Sequence, residues 1–188
     1  MHPFAAYPSD ASWSTDASSG GTDHLGICHA GTVTRTDSAS RLIRADTDRV
    51  FAALVDADAL VQWLPPNGMS GRFERFDARP GGSYRLVLTY KDGSPGSGKA
   101  TPDSDIVEAR FVDVVPNVRL VQAVDFVSDD AAFAGTMTMT WELSAENSGT
   151  RVVIRADDVP PGIAPEDHTL GMQSSLANLA TFVEASRG

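Results

Sequence analysis

The strongest constraint in this sequence is the run GTMTMTWELSA at residues 135–145, where polar and apolar residues alternate without interruption. Successive side chains of a β-strand point to opposite faces, so the run predicts a strand with two distinct faces. The apolar face carries Met137, Met139, Trp141 and Leu143, and the polar face carries three threonines. Such a strand buries one face only, which is typical of an antiparallel sheet covered on one side.

Similar runs occur before and after this strand. They are a short segment around Leu42 and Ile43, then GRFERFDA, GGSYRLVLTY, DIVEARFVDVV, NVRLVQAVDF and RVVIRADDV. Turn signals such as Pro116-Asn117 separate several of them, and a glycine-rich insertion at 91–104 ends one strand. We expect six to seven antiparallel strands, and a sheet of that size twists and curves.

Two short helices are predicted between the first and second strands. Asp46 or Thr47 offers an N-cap, and apolar residues follow at helical spacing from Val50. A second helix is expected at 57–63, because Pro65 and Pro66 stop it.

The last segment, HTLGMQSSLANLATFVEASRG, predicts a long amphipathic helix. Its expected apolar stripe is Leu170, Met172, Leu176, Leu179, Ala180 and Val183. This helix is the only predicted element long enough to cover the apolar face of the sheet. The fold class is therefore α+β, and a curved sheet crossed by one helix favours a cavity between the two.

Residues 1–36 are rich in Ser, Thr, Asp, Gly and Ala and show no structural period, so we predict a disordered low-complexity tail. The alternative is that Phe4, Tyr7 and Trp13 dock the tail on the domain or on a partner. Residues 37–188 are predicted to form a single domain.

Composition excludes several classes of partner. The formal net charge of -10 argues against nucleic acid, which requires clustered basic residues. No stretch approaches the roughly 20 apolar residues of a membrane span, and no signal-like N-terminus is present, so we expect a cytoplasmic protein. Monomer and homodimer both remain open.

The single cysteine, Cys28, rules out an intrachain disulfide. His24, Cys28 and His29 lie close together in the sequence, but they lack a fourth ligand and a scaffold, so no metal site is predicted there.

The ordered part of the sequence resembles a known family. The stretches that carry the resemblance are VFAALVDADALVQWLPPNG, FDARPGGSYRLVL, VEARFVDVVPNVRLV, TMTMTWEL with GTRVVIRADDVPP, and HTLGMQSSLANLATFVE, which together span about residues 41–184. They are similar to the activator of Hsp90 ATPase homologue 1-like (AHSA1) branch of the SRPBCC superfamily, also called START/Bet v 1-like. The resemblance implies a helix-grip fold. Met172 stands where this branch typically has a tryptophan, after His168 and Gly171.

That resemblance implies several functions. Family members include carriers of hydrophobic ligands, polyketide cyclase-like proteins and stress-associated proteins. The first hypothesis is therefore binding of a small hydrophobic or amphipathic molecule between the sheet and the C-terminal helix, in a cavity above about 100 Å³. The alternatives are a polyketide cyclase-like enzyme and a stress-response, Hsp90 co-chaperone-like interaction with a chaperone partner.

Seven residues are predicted to contribute to the pocket. They are Trp63, Arg85, Met139, Trp141, His168, Met172 and Leu176. Methionine and tryptophan suit an adaptable apolar pocket, although plain core packing explains the same pattern. The alternation of SYRLVLTY does not tell which face of the sheet Arg85 occupies; inside the cavity it would require a carboxylate partner such as Glu108.

No catalytic residue or cofactor is predicted. The sequence contains no Ser-His-Asp order, phosphate-binding loop or dinucleotide fingerprint. His168 lacks a convincing carboxylate partner in the sequence. Asp77 and Arg79 precede a Pro-Gly-Gly corner, and we interpret them as a structural turn pair.

Overall fold

The computed structural model describes residues 35–91, 104–126 and 132–185. Within these ranges the elements are β1 (Asp37–Ile43), α1 (Thr47–Val55), α2 (Ala57–Trp63), β2 (Met69–Phe76), β3 (Ser83–Tyr90), β4 (Ser104–Val115), β5 (Arg119–Phe126), β6 (Gly135–Glu146), β7 (Gly149–Asp157) and α3 (Pro165–Ala185). The seven strands of this described part form one antiparallel sheet in the order β1-β7-β6-β5-β4-β3-β2. The predicted α+β helix-grip architecture is confirmed.

The strand register aligns the apolar side chains on one face of the sheet. Trp141 of β6 lies opposite Leu120 of β5 on one side and Ile154 of β7 on the other, and all three are buried. Met137 and Met139 are completely buried on the same face. The alternation expected from the sequence is confirmed, because the threonines between these residues are partly or fully exposed.

Helix α3 covers this apolar face. Its buried side chains include Met172, Leu176, Leu179 and Val183, which recur at the spacing of one helical face. Leu170 was expected on this stripe, but that expectation is wrong, because the side chain is 56% exposed. Leu170 precedes Met172 by two residues, and this spacing turns it to the opposite side of an α-helix.

The two short helices close one end of the sheet. Asp56 ends α1 and caps α2, since its Oδ1 accepts a hydrogen bond from the Ala59 amide at 2.7 Å. Asp46 precedes α1 in extended conformation and makes no side-chain cap. Leu60 and Trp63 are the buried residues of α2, so this helix packs through a single narrow face.

The corner before β3 is a structural turn, as predicted. Arg79 donates two hydrogen bonds of 2.8 Å to the two carboxylate oxygens of Asp77, and this pairing lowers the pKa of Asp77. Gly82 is required here, because a Cβ at that position would lie 2.2 Å from the Asp77 carbonyl oxygen. The exposed pair therefore orients β3.

The predicted tail falls almost entirely on residues 1–34, which lie outside the described residues, and it stays a prediction. Among the helices that the structure describes, none is long and apolar enough to cross a membrane.

Candidate ligand-binding site

A small void lies between the α1–α2 pair and the apolar face of the sheet. Its lining residues are Leu54, Leu60, Trp63, Leu64, Tyr84, Leu120, Gln122 and Trp141. The volume of this void is about 10 Å³, which is room for about one water molecule. It is not the cavity above about 100 Å³ that we expected from the sequence, and ligand pockets are larger still, at about 300–1,000 Å³. This void lies at the α1–α2 pair, and none of its lining residues comes from α3, where the predicted cavity was expected.

Two tryptophans form a wall of the void. The rings of Trp63 and Trp141 meet edge to face, with centroids 5.8 Å apart and planes inclined by 78°. The Trp63 indole also donates a buried hydrogen bond of 3.0 Å to the Ala53 carbonyl oxygen, which fixes the ring against α1. Both residues were predicted to belong to the pocket, and the structure brings them together at the void.

The polar residues of the void, Tyr84 and Gln122, are only 1% and 5% exposed. Neither side chain has a fully buried polar atom that lacks a hydrogen-bond partner in the described part of the chain, and both residues border a space that holds about one water molecule. Burial raises the pKa of Tyr84, so the phenol stays protonated at neutral pH.

The register explains why these two side chains share one space. They project from β3 and β5, which are separated by β4 alone. On β4 the small residue Ala109 lies directly between Tyr84 and Val124, while Phe111 lies opposite Gln122. A small side chain between two larger ones leaves room above the sheet.

Three other predicted pocket residues belong to the surrounding core. Met139, Met172 and Leu176 are at most 1% exposed and pack within the same hydrophobic cluster as the tryptophans. They do not line the void itself. Their contribution is to the packing that encloses it.

Arg85 lies on the outer face of the sheet, and its placement in the pocket is wrong. Its guanidinium donates to Glu74 on β2 at 3.0 Å and to Glu108 on β4 at 2.5 Å. The Glu108 hydrogen bond is the main reason that the pKa of Arg85 is raised. The side chain is 34% exposed, whereas the neighbouring Tyr84 and Leu86 point into the core. Glu108 was suggested as a partner only if Arg85 faced the cavity; the two residues do pair, but on the outer face.

His168 is completely buried at the start of α3, away from the void. Its Nδ1 lies 2.8 Å from the Asp37 carboxylate on β1, which also pairs with Arg35 at 3.0 Å. The sequence offered only nearby carboxylates for this histidine; the structure supplies one 131 positions away. The contact links the first strand to the helix that covers the sheet. His168 Nε2 is buried without a hydrogen-bond partner among the described residues.

Sequence reasoning missed the two polar residues of the void. In NVRLVQAVDF the alternation places Gln122 on the same face as Leu120 and Val124. A single amide between two apolar residues on a buried face could have identified Gln122 as a residue of the void. In SYRLVLTY the alternation likewise places Tyr84 on the same face as Leu86 and Leu88.

In the ranges that the structure describes, no cluster of three His, Cys, Asp or Glu residues is arranged to hold a metal ion. His24, Cys28 and His29 lie outside those ranges. The void is lined by neutral side chains only, so it offers an apolar space with two hydrogen-bonding groups.

A curved antiparallel sheet covered by a long C-terminal helix, with two short helices at one end, defines a helix-grip protein. Residues 44–184 match the family model described as activator of Hsp90 ATPase homolog 1-like protein. The chain belongs to this family.

Solved structures agree with this assignment. A Chromobacterium violaceum protein is 32% identical, with a TM-score of 0.68, and the alignment covers 79% of this chain and 96% of that one. An AHSA1-like protein from Aeromonas hydrophila is 22% identical, with a TM-score of 0.66 and coverages of 81% and 94%. A protein from Rhizobium leguminosarum is 25% identical, with a TM-score of 0.60 and coverages of 81% and 96%. Among curated proteins, none matches this sequence significantly.

Proposed function

We propose that this protein binds a small, largely apolar molecule at the void between the α1–α2 pair and the sheet. The observation that carries the proposal is a space walled by two tryptophan rings and bordered by two polar side chains, Tyr84 and Gln122. Apolar walls with a few polar groups are typical of sites for small molecules.

Ligand entry requires the void to expand, because about 10 Å³ holds no organic molecule. Helix α2 is the element best suited to move. It contains seven residues, contributes Leu60 and Trp63 to the lining, and ends before the pair Pro65-Pro66. Isolated helices of this length have little stability of their own, so α2 depends on its packing. Outward movement of α2 enlarges the void, because Leu60 and Trp63 form part of its lining.

Two other functions are weaker proposals. A polyketide cyclase-like enzyme needs ionisable groups facing the substrate, and the lining of the void contains no carboxylate, histidine or basic residue. A co-chaperone-like role has the family description in its favour, and a pull-down that retains an Hsp90-type ATPase would support it.

Native mass spectrometry of the freshly purified full chain tests the binding proposal. We expect a population with additional mass that is released on denaturation. In a second measurement, titration with the uncharged ring compound 2-methylnaphthalene should change the fluorescence of Trp63 and Trp141. Leu120→Phe adds bulk to the lining and should abolish both signals, whereas Arg85→Gln on the outer face should preserve them.

The proposal is wrong if the wild-type chain carries no additional mass and leaves the probe unbound up to its solubility limit. Equal binding by Leu120→Phe and wild type would place the site elsewhere. Circular dichroism of each variant checks that its fold is intact.

A further inference from the structure

One asparagine of this sequence is followed directly by a glycine. The chain contains four asparagines, of which Asn67 precedes Gly68, whereas the other three precede valine, serine or leucine. Glycine has no side chain to hinder the approach of another group to its backbone nitrogen. The side chain of such an asparagine can therefore react with the backbone amide that follows it, and the reaction converts asparagine to aspartate or isoaspartate.

The turn between α2 and β2 leaves both reacting groups free. Asn67 and Gly68 are exposed, and a Cβ at Gly68, whose φ is +86°, would meet no atom within 4 Å beyond its chain neighbours. The Met69 amide closes the turn with a 3.0 Å hydrogen bond to the Pro66 carbonyl oxygen. The Gly68 carbonyl oxygen accepts from the Lys91 amide at 2.8 Å. Within the described part of the chain, neither the Asn67 side chain nor the Gly68 amide makes a hydrogen bond.

The other asparagines differ from Asn67 in ways that matter for this reaction. The Asn117 side chain donates a hydrogen bond to Asp48, and the amide that follows it is bonded as well. Asn178 lies inside α3, where the next backbone amide belongs to the helical hydrogen-bond ladder. Asn147 is exposed in the turn between β6 and β7, but it precedes a serine. Only Asn67 combines exposure, a free side chain and a following glycine.

We propose that Asn67 is a site of spontaneous deamidation in the folded protein. The Gly68 backbone nitrogen forms a bond to the Asn67 Cγ and gives up its proton, and the side-chain amide nitrogen leaves with that proton as ammonia. Water then opens the cyclic imide that results. Cleavage between the Gly68 nitrogen and Cγ yields aspartate. Cleavage between this nitrogen and the main-chain carbonyl carbon yields isoaspartate, in which the backbone runs through the former side chain.

The site lies at the joint that connects α2 to the sheet. Helix α2 ends at Trp63, and Pro65 packs closely on β2, because a Cβ at Gly71 would lie 2.8 Å from the Pro65 Cγ. Isoaspartate adds one carbon atom to the main chain inside the turn that the Met69 amide closes. The modified turn cannot keep its length, so the packing of α2 should weaken. Aspartate at the same position adds a charge and leaves the length of the backbone unchanged.

Ageing of the purified full-length protein in mildly alkaline buffer at physiological temperature tests the inference. We expect the intact mass to rise by about 1 Da, and peptide mapping by mass spectrometry to assign the change to Asn67. Asn67→Gln should keep its mass, because attack on the longer side chain forms a larger ring. Asn147→Gln is the matched control and should gain mass as wild type does. A peptide of residues 64–70 in the same buffer verifies that the conditions support the reaction.

Thermal unfolding measures the effect on the joint. Ion-exchange chromatography collects the deamidated fraction, because both products carry one additional negative charge. This fraction includes the isoaspartate form, so its midpoint should lie a few degrees below that of Asn67→Asp, which has the charge with an ordinary backbone. Asn67→Asp should unfold close to wild type.

Several results would contradict the inference. Unchanged mass of the folded protein while the peptide converts would show that the structure protects Asn67. A mass change assigned to another asparagine would place the reaction elsewhere. Circular dichroism follows the fold during ageing, and loss of signal before the mass change would assign the reaction to the unfolded chain. Equal midpoints of the deamidated fraction and Asn67→Asp would exclude the effect on α2. None of these outcomes bears on the binding proposal.

Discussion

At the scale of single residues, the polar groups of Tyr84 and Gln122 have a measurable consequence for stability. Tyr84→Phe removes a hydroxyl that borders the water-sized void. We expect the free energy of unfolding to stay within about 1 kcal/mol of wild type, since a hydrogen bond to water in the folded state adds little net stability over hydration of the unfolded chain. Gln122→Met should behave in the same way. Guanidinium denaturation of the unliganded protein measures both.

The matched control for these variants is Trp63→Phe. That change removes a real hydrogen bond and leaves the Ala53 carbonyl oxygen unpaired, so it should cost about 1–3 kcal/mol in addition to lost packing. A loss of more than about 1 kcal/mol in Tyr84→Phe would contradict this expectation, because it would show that the hydroxyl makes a strong interaction in the folded protein.

Tyr84 also makes stability depend on alkaline pH. Burial raises its pKa in the folded state above the ordinary value of about 10. The folded protein therefore keeps a proton that the unfolded chain releases, and stability must fall as pH rises above about 10. We expect wild type to lose stability between about pH 10 and pH 12, and Tyr84→Phe to lose less over the same interval. Parallel slopes for the two proteins would show that other groups are responsible.

At the scale of elements, the Asp56 cap stabilises α2, which lines the void. Asp56→Ala removes the 2.7 Å hydrogen bond to the Ala59 amide, and the loss of such a cap costs about 0.5–2 kcal/mol. Asp46→Ala is the matched control, because Asp46 precedes α1 without making a side-chain cap. Thermal unfolding should therefore show a lower midpoint for Asp56→Ala than for Asp46→Ala. Equal midpoints would show that packing alone holds α2.

At the scale of the whole molecule, α3 holds the fold together by covering the sheet. Leu176→Ala removes a side chain that is 1% exposed and should cost about 2–5 kcal/mol, because it leaves a cavity in the central core. Leu170→Ala changes the same residue type on the same helix, where the side chain is 56% exposed, and should stay within about 0.5 kcal/mol of wild type. Chemical denaturation followed by circular dichroism compares the two variants. Similar losses would contradict the observed orientation of α3.

Much of this architecture could be predicted from the sequence, because periodicity is a local property. The Met and Thr alternation of β6 and the boundaries of α2 depend on neighbours within a few residues, and the structure confirms both. The position of Arg85 could not be predicted in the same way. Alternation shows that Arg85 and Tyr84 lie on opposite faces, but only the packing of α3 decides which face is inside.

The candidate site depended even more on long-range packing. Trp63 and Trp141 were predicted pocket residues, but their contact joins parts of the chain that are far apart in the sequence. The size of the void follows from the fit of about eight side chains from five segments, and a difference of one methylene group changes such a volume. No local pattern in the sequence shows how closely these side chains fit together. The sequence therefore predicted a cavity without its size, and the void at the α1–α2 pair holds about one water molecule.

The sequence alone determined the strands, the helices, their order and the family to which the chain is similar, since hydrophobic period, caps and turn residues act over short distances. Tertiary structure alone decided that Arg85 faces outward, that His168 meets Asp37, and that Tyr84 and Gln122 share a buried space. Each of these depends on residues brought together across the sheet. Contacts of this kind are set by register and packing, which exist only in the folded chain.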